Sequence, residues 1–190
     1  MSTIKELVIQ NRSCRRFFEE VSIPRDTLEE LVDLARLSPS AANMQPLKYI
    51  ISNDELQNEL IFPCLAWAAY LKDWSGPVQG ERPSAYIVIL GDQSISTNFW
   101  CDHGIACQSI LLGAREKGFA GCIMGAINKD KLRESLHIPD YLTIMLVIAL
   151  GKPKEHVQIE PVKNNDIRYW RDENGVHHVP KRDLKDIIVQ

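Results

Sequence analysis

Residues Ala85-Tyr86-Ile87-Val88-Ile89-Leu90-Gly91 form a nearly unbroken apolar run of β-favouring residues. A strand with one wet face alternates apolar and polar side chains, so a run without alternation is a strand buried on both faces. Such a strand needs covering layers, and helical spacing elsewhere in the chain supplies them. Residues 3–10 place Ile4, Leu7 and Val8 on one helical face. Pro24-Arg25-Asp26 opens a second helix, with Asp26 as cap, Glu29 three residues on, and Leu28, Leu31, Val32 and Ala35 facing inward. Leu47–Ser52 is a strand, Asp54 opens a helical stretch to about Leu71, and the longest helix runs from about Thr97 to Lys117, closed by Gly118. A short helix over Lys129–Leu136 and a buried strand over Leu142–Gly151 follow, then a polar, extended tail. This order predicts an α+β fold with helices packed on a central mixed β-sheet.

At 190 residues, 45% apolar and 25% charged, the chain reads as one globular domain over residues 1–190. A net charge of −3 gives no general attraction to nucleic acid or anionic lipid. No run approaches the ~20 apolar residues of a membrane helix, and the N-terminus lacks a signal-peptide pattern. Five cysteines, at 14, 64, 101, 107 and 122, have no Cys-x-x-Cys spacing and read as reduced thiols. The expectation is a cytoplasmic protein without nucleic-acid, membrane or metal partners.

Two stretches carry chemistry. Asn11-Arg12-Ser13-Cys14-Arg15-Arg16 has three arginines in five residues. Guanidinium forks match phosphate oxygens with paired hydrogen bonds, and Ser13 adds a hydroxyl donor; the alternative is a solvated basic patch. Ser38-Pro39-Ser40-Ala41-Ala42-Asn43-Met44-Gln45-Pro46 joins a helix to a strand. Its prolines disfavour helical geometry before them and fix the entry and exit of the loop. One hydroxyl and two carboxamides inside it suit the edge of a planar heterocycle, and an ordinary connecting turn is the alternative.

Other features remain open or are set aside. Residues 72–83 hold two glycines and two prolines and form an irregular loop, in which Trp74 either covers a ligand or packs the loop down. Gly121 and Gly125 mark either tight turns or a close approach of backbone to a ligand. There is no Gly-x-Gly-x-x-Gly after a strand, no P-loop and no Gly-x-Ser-x-Gly. Cys101, Asp102, His103 and Cys107 lack a second ligand pair and read as helix residues rather than a metal site. His177-His178 reads as a solvated pair in the tail.

Pro-Ser-x-x-Asn-x-Gln-Pro after a short helix resembles the FMN-dependent nitroreductase family, as does Asn11–Phe17. Ala85–Gly91, Asp102–Gly125 and Tyr169–Val189 are similar to the same family, in its order. The resemblance implies an intertwined homodimer with FMN at the subunit interface, and a C-terminal extension from about residue 152 reaching across the dimer. It implies that Arg12, Ser13 and Arg15 hold the phosphate and ribityl end, joined by Lys181 and Arg182. Ser40, Ala41, Asn43 and Gln45 then line the flavin from the other subunit, and Met124-Gly125 lies at the N5 edge. The family commonly has two arginines before the serine; Asn11 stands at the first of those positions here, and Arg16 is the residue placed to compensate. The implied activity is ping-pong hydride transfer from NADH or NADPH through FMN N5 to nitroaromatics, quinones or similar acceptors. No side chain acts as nucleophile, with Arg15 and the Gly125 backbone supporting the ring. Reductive dehalogenation, flavin fragmentation, or flavin binding without turnover are the alternatives on the same fold.

Overall fold

The computed structural model describes residues 2–189. In chain order the elements are α1 (Ile4–Gln10), β1 (Phe17–Phe18), α2 (Arg25–Arg36), β2 (Leu47–Ser52), α3 (Glu55–Ile61), β3 (Ala85–Asp92) and α4 (Asp102–Glu116). They continue with β4 (Ala120–Met124), α5 (Lys129–Ser135), β5 (Leu142–Pro153), β6 (Val157–Pro161), β7 (Trp170–Arg171) and β8 (His177–Lys181).

Every residue of β3 is buried, as its unbroken apolar run requires. It lies between β2 and β5, and β5 also pairs with β1 and β4. The two faces of β3 feed two separate cores. Ala85, Ile87 and Ile89 pack with Leu28 and Leu31 of α2 and with Ala106, Ile110 and Ala114 of α4. Tyr86, Val88 and Leu90 pack on the other face with Ile61 of α3 and Leu132 of α5. The period-2 alternation of a strand is thus what makes a helix–sheet–helix sandwich out of one hydrophobic run. All pairings in this sheet are antiparallel; the parallel component of the fold lies in a second sheet, where β6 runs parallel to β8 and β7 antiparallel to it.

Three element boundaries differ from expectation, each for a local reason. The helix after Asp54 ends at Ile61, because Pro63 cannot continue an α-helical ladder and admits only a short 3₁₀ turn over Phe62–Cys64. The longest helix starts at Asp102 rather than near Thr97. Before it, Ser96 Oγ donates to Asn98 O at 2.7 Å and Trp100 N donates to Asn98 Oδ1 at 3.0 Å, side-chain bonds that offer the backbone an alternative to the helix. The second helix begins at Arg25 with Pro24 at its cap, so Asp26 sits in the first turn and favours the helix dipole instead of capping. The capping box belongs to α1, where Thr3 and Glu6 bond each other's backbone N–H groups.

The close packing of α4 explains one glycine. A Cβ at Gly113 would lie 2.3 Å from Leu34 Cδ1, so glycine is what lets α2 and α4 approach. The irregular loop is also packed: Trp74 meets Trp67 edge-on at 6.5 Å, and the Arg171 guanidinium lies 4.7 Å over the Trp74 ring. Trp74 therefore pins the loop to the tail. Residues 157–181 fold onto their own subunit, and Leu184, Ile187 and Ile188 beyond them are exposed.

Candidate cofactor site

The segment 11–16 leaves α1 without regular secondary structure, and its side chains go to different places. Cys14 turns inward, 2% exposed, with its N–H donated to Gly121 O at 3.0 Å. Arg12, Ser13 and Arg15 line a cavity of about 270 Å³. Its other walls are Gln108 and Leu111 of α4, Gly121 and Ile123 of β4, and Tyr169, His177, Val179 and Lys181 of the tail. The lining holds three cationic side chains and no carboxylate.

Among the described residues, neither of the cavity's arginines has its side chain paired with an acid. Arg12 donates Nη2 to Val8 O at 2.9 Å, and its buried Nε has no partner. Burial lowers the pKa of Arg12, and burial together with Arg12 lowers that of Lys181. Each depression records charge held out of water without an acid beside it. The Arg15 side chain lies against the Tyr169 ring and the His177 imidazole, with the Cys122 thiol also in reach.

Arg16 does not compensate for Asn11. It forms a two-bond pair with Glu81 at 2.5 and 2.6 Å, with Lys154 3.1 Å from the same carboxylate. Its hydrogen bond lowers the Glu81 pKa to about 2. Asn11 bonds Gln108 through their amides at 3.4 Å and remains at the cavity edge. Arg182 lies outside the lining and donates to Asn165 Oδ1 at 3.1 Å.

The Ser38–Pro46 loop forms a second, separate group. Asp102, only 4% exposed, accepts from Ser40 Oγ at 2.6 Å and from the Ala41 N–H at 3.0 Å. Ser40 Oγ in turn accepts from the Gln45 N–H at 2.9 Å. The polar groups of Ser40 and Ala41 are therefore committed to Asp102, while the Asn43 and Gln45 carboxamides are exposed and bond each other at 3.1 Å. Ala42, Asn43 and Gln45 have φ of 51°, 55° and 51°. Left-handed geometry costs a residue with a Cβ roughly 1–2 kcal/mol, and such strain collects at functional sites. Asp102 and Leu111 mark the two groups on α4; nine residues at 1.5 Å rise set them roughly 14 Å apart along the helix. One subunit does not bring Asn43 and Gln45 to the cationic cavity.

Met124 is buried at the end of β4, and Gly125 after it is exposed. A Cβ at Gly121 would lie 2.6 Å from Ala149 O, so that glycine serves packing. At Gly125 a Cβ would meet only Leu146 Cδ2, at an ordinary 3.7 Å, so packing inside the chain does not demand glycine there. Cys14 and Cys122 are buried, and desolvation pushes the first thiol up to about 12 and raises the second. Neither is a thiolate at neutral pH.

Asp102, Tyr169 and His177 were not among the expected site residues. His177 is 0% exposed rather than solvated, and His178 stacks on Trp170 at 4.8 Å between Glu160 and Asp172. The alternation of β8, inward at His177 and outward at His178, is the only local signal, and two adjacent histidines in a polar tail conceal it. Among the described residues no group of three or more His, Cys, Asp or Glu is placed to hold a metal, and no helix is long and apolar enough to cross a membrane.

The α+β sandwich thus carries a cationic, carboxylate-free cavity beside its longest helix, a donor set whose chemistry suits an anionic group. Residues 8–152 match the sequence profile of the nitroreductase family. The chain belongs to that family. It is 28% identical over 156 residues to a protein of Archaeoglobus fulgidus provisionally named an NADH dehydrogenase/NAD(P)H nitroreductase, covering 78% of this chain and 84% of that one. The fold is similar to a nitroreductase family protein from Clostridium novyi NT, with a TM-score of 0.67, 25% identity and coverage of 80% and 88%. It is similar as well to an FMN-dependent nitroreductase of Clostridium difficile R20291, with a TM-score of 0.65, 20% identity and coverage of 84% and 91%.

Proposed function

We propose that the chain is an FMN-dependent NAD(P)H oxidoreductase that reduces nitroaromatics, quinones or similar small acceptors. The observation that carries this reading is the cavity with Arg12, Arg15 and Lys181 in its walls and no acid to neutralise them. A phosphate monoester matches that donor set: two planar forks, an ammonium and the Ser13 hydroxyl. The names of the similar proteins supply the nicotinamide and FMN parts of the reading.

FMN, when bound, supplies two-electron transfer between reduced nicotinamide and acceptor. The chain's own contribution is binding and electrostatics. Arg12, Ser13, Arg15 and Lys181 would hold the phosphate and ribityl end, and the Arg15 charge would also stabilise the negative charge that the reduced ring gains. Gly125 offers a backbone N–H that a ring can approach without meeting a side chain. No thiol takes part, because Cys14 and Cys122 stay protonated.

The second wall comes from a second copy in this reading. A cavity of about 270 Å³ is small for a ligand pocket, and the exposed carboxamides of Asn43 and Gln45 belong to a loop tied to the Asp102 end of α4, away from it. A homodimer that places that loop over the partner's cavity completes the site, and the exposed apolar end from Leu184 is the part of the C-terminal extension that reaches across. Five free cysteines suit a reducing, cytoplasmic setting. Steady-state oxidation of NADH and NADPH by FMN-loaded protein, with a nitroaromatic or a quinone, tests the activity. Acceptor-dependent consumption of either nucleotide is expected; none with any acceptor would leave a flavin-binding protein without turnover.

A further inference from the structure

What holds Arg15 comes from the end of the chain, beyond the stretch that matches the family profile. The Tyr169 ring lies against the guanidinium face, with Cζ 5.0 Å from the ring centroid. Arg15 Nη1 lies 3.4 Å from His177 Nε2. A guanidinium only donates, so the imidazole presents its lone pair to it. Burial beside Arg15 and Arg171 holds the His177 pKa down at about 4, and that lone pair persists at neutral pH. Tyr169 is itself held in place: its hydroxyl accepts from the Tyr70 N–H at 3.3 Å, and its ring lies 5.0 Å from Tyr70 and 5.2 Å from His177.

The carboxylate that bonds the Arg15 backbone is used differently. Glu155, whose side chain is fully buried, accepts the Arg15 backbone N–H and pairs with Arg171 Nη2 at 2.9 Å. Arg16 and Arg171 both end on acids, whereas the Arg15 side chain ends on neutral groups, the Tyr169 and His177 rings and the protonated Cys122 thiol. An acid partner would fix Arg15 and cancel its charge together. Neutral partners fix its direction and leave the charge for whatever enters the cavity, which is the condition for electrostatic preorganisation.

We propose that Tyr169 and His177 are positioning residues that aim Arg15 into the cavity, so that a bound flavin phosphate meets a fixed guanidinium. The identity of the ligand rests on the FMN reading above; the aiming of Arg15 does not. Tyr169 also links Arg15 to the 66–84 loop through Tyr70, so the loop contributes to the same alignment.

Two measurements test the proposal. The first is FMN affinity, by quenching of flavin fluorescence, in paired variants. Tyr169→Leu and His177→Leu are expected to weaken FMN about tenfold. Tyr169→Phe, which keeps the ring, and His177→Gln, which keeps an acceptor, are expected to recover most of that loss. In an Arg15→Ala background neither leucine variant should weaken binding further, because each acts through Arg15. Equal losses with and without Arg15 would overturn the proposal. If Tyr169→Leu does not fold, the His177 pair decides alone. The second measurement is the order of the Arg15 side chain by ¹⁵N NMR in protein without flavin. An ordered guanidinium in the wild type that becomes mobile in His177→Leu supports positioning; equal mobility in both contradicts it. Wild-type protein that binds no FMN would end the flavin reading alone, and the NMR result would still decide this one.

Discussion

Arg15 and Arg16 are adjacent, identical in type and opposite in predicted effect. Replacing Arg15 by alanine removes an un-neutralised cation from the cavity wall. A charge-assisted hydrogen bond is worth roughly 1.5–3 kcal/mol. At 1.4 kcal/mol per factor of ten, the FMN Kd should rise about 10- to 150-fold. Arg16→Ala removes the partner of Glu81 instead, on the far side of the segment. It should leave the FMN Kd within about twofold and act on stability. The Glu81 pKa is held at about 2 against an ordinary 4.5, so this carboxylate contributes stability above 4.5 that is lost as pH falls from 4.5 toward 2. Arg16→Ala should flatten that acid limb in urea unfolding. Flavin titration and a pH series of unfolding curves, on both variants, complete the assay. If Arg16→Ala weakened FMN as much as Arg15→Ala, the separation of Arg16 from the cavity would be wrong, and the cavity's assignment with it.

Three further outcomes follow from the same geometry. Gly121→Ala should destabilise the fold markedly in thermal unfolding, since its Cβ would lie 2.6 Å from Ala149 O, while Gly125→Ala should keep stability and slow flavin reduction or weaken FMN. Replacing Cys14 and Cys122 together by alanine should keep turnover within a few fold, measured per bound FMN, because neither thiol is ionised at neutral pH. His177, neutral down to about pH 4 when folded against an ordinary 6.5, should give a loss of stability as pH falls from 6.5 to 4, since the unfolded chain takes up the proton first. His177→Gln should remove that part of the pH dependence.

The sandwich was legible because β3 states it twice: an apolar run of strand length has two faces, and each face needs its own layer of helices. The cationic stretch and the proline-bounded loop were legible as candidate chemistry from residue type alone. What could not be read was the assignment within them. Three arginines in five residues look alike until tertiary packing brings Arg12 and Arg15 to the cavity and Arg16 to Glu81, which lies 65 positions away in sequence. Asp102 looked like part of a failed metal motif, and only the fold brings it to Ser40 and Ala41. His177 was hidden for the same reason: its partners Arg15 and Tyr169 meet it through tertiary packing, and no local pattern marks a buried histidine in a polar tail.

Cofactor content tests the central claim most directly. Protein purified without added flavin should be yellow, release a flavin on denaturation that chromatographs as FMN, and approach one FMN per chain on reconstitution. The phosphate cavity should discriminate as well, so FMN should outcompete riboflavin, which has the ring and no phosphate, by at least two orders of magnitude at roughly 1.5–3 kcal/mol per charged hydrogen bond. Colourless protein that takes up neither flavin, or that binds riboflavin as tightly as FMN, would contradict the assignment of Arg12, Arg15 and Lys181 to a cofactor phosphate.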